Sequence, residues 1–309
     1  MDRFDSMATV LEVARAGSLS AAGRNLRMPL ATVSRRISDL EAHLGAQVFT
    51  RTSRRLTLTP AGETYVRACQ RIFDDLAEAE RAVGGEYQAP KGGLTVTTPV
   101  EFGRLHFLPV AMAFLKAYPQ IDLRVHFTET PLSLVEERID VALRIGRLPD
   151  SQLHARSIGN VRRVVCASPE YLDRRGAPLT PEQLAQHDCV TLQTISSVRS
   201  WTFRRGGKEI TQPIHTRLGV NLTQAAVDAA IEGIGLARLL EYQVAEAVHA
   251  GRLRLVLTDH EPEPWSINLV YPLQGPLPLK VRAFLDWATP RLKAKMAGAS
   301  SFGGGGVDR

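Results

Sequence analysis

Along residues 29–45, PLATVSRRISDLEAHLG, apolar side chains fall at Leu30, Val33, Ile37, Leu40 and Leu44. Their spacing of 3, 4, 3 and 4 places them on one face of a helix and predicts that all five dock it on the segment before. The other side carries Ala31, Thr32, Arg35 and Ser38, with Arg36 on the flank. Pro29 suits the start of this helix, where a missing N–H costs nothing, and Gly45 suits its end. Upstream, Met7, Val10, Leu11, Val13 and Ala14 predict a helix over residues 4–16, closed by Gly17. Ser18 is placed to cap a second helix over residues 19–26. Two helices on a tight connection, the second amphipathic with arginines outside, describe a helix-turn-helix.

Beyond it, FTRTSRRLTLT (residues 49–59) alternates as a β-hairpin does, with Arg51, Arg54 and Arg55 at its tip. A basic tip beside such a helix is a wing suited to holding phosphate. From residue 61 the pattern is helical again: Ala61, Tyr65, Ala68, Ile72, Leu76, Ala79 and Val83 share a face, at a mean spacing of about 3.67 residues. Gly84, Gly85, Pro90, Gly92 and Gly93 follow as a hinge. Two partners fit the stripe: a copy of itself in a dimer, or the C-terminal part of its own chain, since a lone helix is only marginally stable in water.

After the hinge the period alternates. Strands are predicted at residues 94–98, 121–127 and 141–145, a helix at 102–117 and a short helix at 131–137. RRVVCAS, SPEYLDRRG, HDCVTL, NLTQAAVDAAIEGIGLARL and RLRLVL repeat the alternation; INLVYP (267–272) and a helix at 278–294 complete it. This is α/β architecture with a mostly parallel sheet. The chain therefore divides into a winged helix-turn-helix (1–60), a linker helix and hinge (61–90), an α/β region (91–297) and a Gly/Ser-rich tail expected to be disordered (298–309).

With 309 residues, 44% hydrophobic and 23% charged, the composition is that of a globular chain of two or three domains. Charge sharpens this: residues 1–60 hold nine arginines, no lysine and five acids, whereas residues 61–90 hold three arginines and six acids. A basic excess confined to the helix-turn-helix is the electrostatic footprint of contact with a polyanion. The absence of a leader-type run or a long apolar stretch points to a cytoplasmic protein without membrane contact. Cys69, Cys166 and Cys189 are too far apart for a disulfide framework or a clustered metal site; they read as buried thiols, with redox sensing at Cys166 or Cys189 as the other reading. No metal site, cofactor or catalytic constellation is legible. The eight histidines lack H-E-x-x-H spacing, there is no G-x-S-x-G, and the G-x-G of GIGLAR lacks a third glycine.

The ordered set GSLSAAGRNL, ATVSRRISDLEAHLG, VFTRTSRRLTLTPAG, FLKAYPQIDL, RIDVALRIGRLPD and VCASPEYLDRRG resembles the LysR-type transcriptional regulators over nearly the whole chain. The resemblance implies an N-terminal winged helix-turn-helix on double-stranded DNA and a dimerising linker helix. It further implies two α/β lobes built like a periplasmic solute-binding protein, with a small-molecule effector between them. Lobe one would take about residues 91–160 and 267–297, and lobe two about 161–266. Self-association as a dimer or tetramer is expected, with RNA polymerase as a further candidate partner. The chain departs from the family where the recognition helix opens: Pro29, Leu30 and Ala31 stand where Ser-Gln-Pro or Ser-Gln-Ser is common. Ser34 and Arg35 match.

For DNA the candidates are Leu30, Ala31, Thr32, Ser34 and Arg35 toward base edges, with Leu30 suited to a thymine methyl. Arg36, Arg51, Arg54 and Arg55 are expected on phosphate. Arg35 could instead be solvated or pair with Asp39. For the effector they are Thr97, Thr98 and Val100 in TTPVEFG, where a strand end meets a helix N-terminus with free amides, together with Thr128, Arg144, Asn221 and Thr223. Such a set suits a small, carboxylate-bearing ligand. The competing functional class is a small-molecule-binding protein or enzyme that uses the two lobes as its main business.

Overall fold

The computed structural model describes residues 2–51, 56–84, 89–148, 153–192, 198–272 and 277–299. Of Arg51 only the backbone is described, and Arg54, Arg55 and the tail from residue 300 lie outside the described residues. The chain forms two compact units, Met1–Gln88 and Ala89–Arg309.

In the first unit, α1 (Arg3–Ala16) is capped by Asp2, whose carboxylate accepts from the Phe4 and Asp5 amides, and ends at Gly17 with φ 68°. Ser18 caps α2 (Leu19–Leu26), accepting from the Ala21 amide at 3.1 Å. Pro29 precedes α3 (Leu30–Leu44), which closes on Gly45 at φ 64°. Glycine is needed at both closures because the left-handed conformation penalises a Cβ. Val33, Ile37 and Leu40, each contributing about 1.5–3 kcal/mol, are buried with Val10, Val13, Ala22, Val48 and Phe49. The ends of the apolar stripe do not dock: Leu30 is 52% exposed and Leu44 is also exposed, because the stripe outruns the helices beneath it. The wing is a short antiparallel hairpin, β1 (Phe49–Arg51) and β2 (Leu56–Leu58), with Thr50 opposite Thr57. The Glu41 carboxylate anchors its base, accepting from the Val48 and Phe49 amides at 2.8 and 3.0 Å. Helix α4 (Pro60–Gly84) packs its first turns against this core through Gly62, Tyr65, Val66 and Cys69. The expected stripe is thus split: Ala61 is exposed, Tyr65 and Ala68 are half-buried, and Ile72 and Leu76 are each 39% exposed.

The second unit holds two five-stranded sheets. The first is ordered β4 (Ile121–Phe127), β3 (Gly92–Thr98), β5 (Val141–Ile145), β14 (Trp265–Pro272), β6 (Leu153–Val161); the second is β11 (His215–Val220), β8 (Asp188–Leu192), β12 (Leu236–Leu240), β7 (Arg163–Ala167), β13 (Arg254–Val256). In both, the first three strands run parallel and the next two pairings are antiparallel. The sheets are therefore mixed, not mostly parallel, because the strand after each crossing enters reversed beside the parallel set. The chain crosses between them twice, after β6 and after β13.

Helix α5 runs over Val100–Phe102, a π turn at Gly103–Phe107 and Leu108–Ala117; with α9 (Leu279–Ala299) it covers one face of the first sheet around Phe107, Phe114 and Phe284. The last helix includes residues 298 and 299, which the sequence assigned to the tail. In place of the helix expected at 131–137, residues 131–133 are irregular and residues 134–138 form a turn. On the second sheet, α7 (Thr223–Ile231) and α8 (Glu241–His249) cover one face, and α6 (Pro169–Arg175) with a hairpin, β9 (Ser200–Arg205) and β10 (Lys208–Pro213), covers the other. Strands β6, β9, β10 and β11 had no counterpart in the sequence reading.

Candidate DNA-binding face and effector site

Helices α2 and α3 approach closely at Gly23, where a Cβ would sit 2.9 Å from the Met28 carbonyl. Arg27 turns the chain in the left-handed region at φ 52°. This packing sends the first turn of α3 outward. Leu30, Ala31 and Arg35 are exposed, with Thr32 and Ser34 half-buried among them. Arg36 is placed differently: its guanidinium donates to the Asp5 carboxylate at 2.8 Å and reaches the Thr9 hydroxyl at 3.5 Å. It ties α3 to α1.

In the second unit, five of the effector candidates gather where β3, β4 and β5 end. The Thr128 amide donates to the Thr98 carbonyl at 3.0 Å, and Thr128 closes a turn with Thr130. Thr97 lies beside Ala142 of β5, and its buried hydroxyl has no partner. Thr98 is buried, with its hydroxyl on the Pro99 carbonyl at 3.3 Å. Arg144 donates to the Leu132 carbonyl at 2.8 Å, and burial pushes its guanidinium pKa down.

The helix end beside Val100 is not free, as the sequence suggested. The Glu129 carboxylate accepts from the Val100 amide at 3.2 Å, and burial with nearby Glu101 pushes the Glu129 pKa up. Asn221 and Thr223 stand apart, at the end of β11 and in the first turn of α7; Asn221 is exposed, and Thr223 is buried with an unpartnered hydroxyl.

The crossings between the lobes carry residues the sequence reading missed. Arg162 bridges Glu241 at 2.7 Å and Glu261 at 3.6 Å. Arg163 stacks on Trp265 at 4.5 Å, and Arg238 on Trp201 at 5.4 Å. Tyr242 of α8 reaches into the first lobe's core, edge-on to Phe102 at 5.5 Å and His106 at 5.3 Å. An arginine inside an apolar strand, as in LARLL, was the available signal for Arg238. Cys166 and Cys189 belong to clusters on opposite faces of the second sheet, and burial pushes both thiols up to about 12. Such burial disfavours the thiolate on which thiol reactivity depends. Among the described residues no group of histidine, cysteine and acidic side chains could hold a metal, and no helix is long and apolar enough to cross a membrane.

Residues 4–63 match the bacterial regulatory helix-turn-helix of the lysR family, and residues 87–293 match the LysR substrate binding domain. An HTH-type transcriptional regulator of Xanthomonas campestris is 36% identical over 286 residues, 91% of this chain and 83% of that one. The solved structure of CrgA, a LysR-type transcriptional regulator from Neisseria meningitidis, is 30% identical with a TM-score of 0.59, over 93% of this chain and 98% of that one. The full-length Vibrio cholerae virulence activator AphB is 28% identical with a TM-score of 0.57, over the same shares. A basic helix-turn-helix with an outward first turn, followed by two mixed α/β lobes joined by two crossings, has its explanation here: the chain belongs to the LysR family of DNA-binding transcriptional regulators with an effector-binding substrate domain.

Proposed function

We propose that the first turn of α3 reads the major groove, with Arg35 and Ser34 offering hydrogen bonds to base edges and Leu30, Ala31 and Thr32 offering apolar contact. The observation that carries this is the contrast within one helix: Val33, Ile37 and Leu40 are buried while Leu30, Ala31 and Arg35 stand in solvent. Arg51, Arg54 and Arg55 of the wing would hold phosphate and set register without reading sequence. Arg36 serves as a positioning residue through Asp5. Ile72 and Leu76 on α4 supply an apolar face for a second copy, giving the paired half-site reading of a dimer.

The unpartnered buried hydroxyls of Thr97 and Thr223, one in each lobe, support binding of a small effector at the strand ends. Its differential affinity for two lobe arrangements would bias the subunits on DNA, in the cytoplasm. The test is selection from randomised duplexes with the wild type and Arg35→Ala. The variant should lose preference at one base pair of each half-site, and an unchanged consensus would overturn the assignment.

A further inference from the structure

Arg163 and Arg238 are the most anomalous charges in the effector region. Arg163 opens β7 directly opposite Leu240, the last residue of β12, and Arg238 lies on the same face of that antiparallel pair, opposite Val165. Both therefore sit at the end of the sheet where β8 and β12 finish and the two crossings pass. Arg163 has a buried Nε without an acceptor among the described residues, and its guanidinium donates to the Glu263 carbonyl at 3.3 Å. Among the described residues Arg238 donates only to the Thr202 carbonyl, at 3.1 Å. Neither guanidinium has a carboxylate within ion-pair distance among the described residues.

Glu241 and Glu261 are held by Arg162 and Glu263 by Arg204, while Glu209, 4.0 Å from the exposed Arg147, acts on Arg163 from beyond ion-pair distance and Arg238 has no such acid beside it among the described residues. Removing a guanidinium from water without a counter-charge is unfavourable, and stacking on indole rings offsets only part of that cost. Burial and the neighbouring Arg163 accordingly push the Arg238 pKa down to about 10. The helix end at Val100, the other natural anion site, is already filled by Glu129.

We propose that Arg163 and Arg238, flanked by Trp265 and Trp201, form an anion subsite that takes the carboxylate of a planar effector. The inference rests on the effector-binding reading and locates the charged end of the ligand on the second lobe's hinge edge, away from the threonine loop. Two guanidinium forks match a carboxylate bidentately, and the indole faces suit a flat ligand body.

The test is calorimetric titration of the full-length chain with benzoate and acetate, each against its amide, benzamide and acetamide. The subsite predicts that benzoate binds, that benzamide binds about tenfold more weakly or not at all, and that Arg238→Gln and Arg163→Gln each weaken benzoate about tenfold or more. Arg238→Lys, which keeps the charge but loses the fork, should fall between and shows that the fold survives. Acids and amides binding alike, both glutamine variants binding as the wild type does, or no acid binding at all would each overturn the subsite. Failure of the underlying reading looks different: no low-molecular-mass metabolite fraction would then alter the affinity of the wild type for DNA.

Discussion

The guanidinium of Arg36 on α3 meets the carboxylate of Asp5 on α1 at 2.8 Å, thirty-one residues away in sequence. This pair ties α3 to α1 while the neighbouring Arg35 stays in solvent. Arg36→Ala and Asp5→Ala should each lower stability by about 1 kcal/mol or less, since an exposed pair is worth little. Arg35→Ala should leave stability unchanged and reduce discrimination between operator and mismatched duplex by about 1–3 kcal/mol. Chemical unfolding and fluorescence anisotropy on all three variants separate the roles. An Arg36→Ala loss of DNA affinity exceeding that of Arg35→Ala would reverse them.

Leu30, exposed at the opening of α3, should read a thymine methyl. Replacing the contacted thymine by uracil removes only that methyl, and the wild type should bind about fourfold more weakly, near the 0.8 kcal/mol of one buried carbon. Leu30→Ala should bind the two duplexes equally. Equal binding by the wild type would show that Leu30 does not face a thymine.

Gly62 lets α4 pass the wing, because a Cβ there would lie 2.0 Å from the Val48 carbonyl oxygen. Gly62→Ala should destabilise the first unit by about 1–3 kcal/mol through overpacking. Gly93→Ala, whose Cβ would meet nothing within 4 Å, should stay within about 0.5 kcal/mol of wild type. Urea unfolding measured for both variants decides the matter.

Much of the local structure was legible because it is local. The spacing and caps around Gly17, Ser18 and Gly45 bound α1, α2 and α3, and the strands at residues 121–127 and 141–145 are found at those bounds. Long-range relationships were not. The direction of β14 depends on its insertion between β5 and β6, over 100 residues earlier in the chain, and periodicity carries no direction. The exposure of Leu30 depends on where α1 and α2 stop. The carboxylate on the Val100 amide comes from Glu129, twenty-nine residues on, which no local pattern announces.

His106, packed against Phe102 and Tyr242, has a buried Nε2 without a partner, and burial with nearby Lys295 pushes its pKa down to about 4 from 6.5. The unfolded chain therefore takes up this proton first as pH falls. The stability associated with neutral His106 is complete above pH 6.5 and declines toward pH 4. Unfolding curves across that range should show the decline in wild type and a shallower one in His106→Phe. Parallel declines would remove His106 as a source.

Sequence-specific binding by the N-terminal unit, through an electrostatic grip and a base-reading helix, is measured by titrating the full-length chain onto DNA from upstream of its own gene, across a series of salt concentrations, beside a random duplex. The upstream DNA should bind tightly and the random duplex more weakly, with a steep linear fall of log affinity with log salt for both. Equal affinity for the two duplexes, or an affinity indifferent to salt, would contradict it.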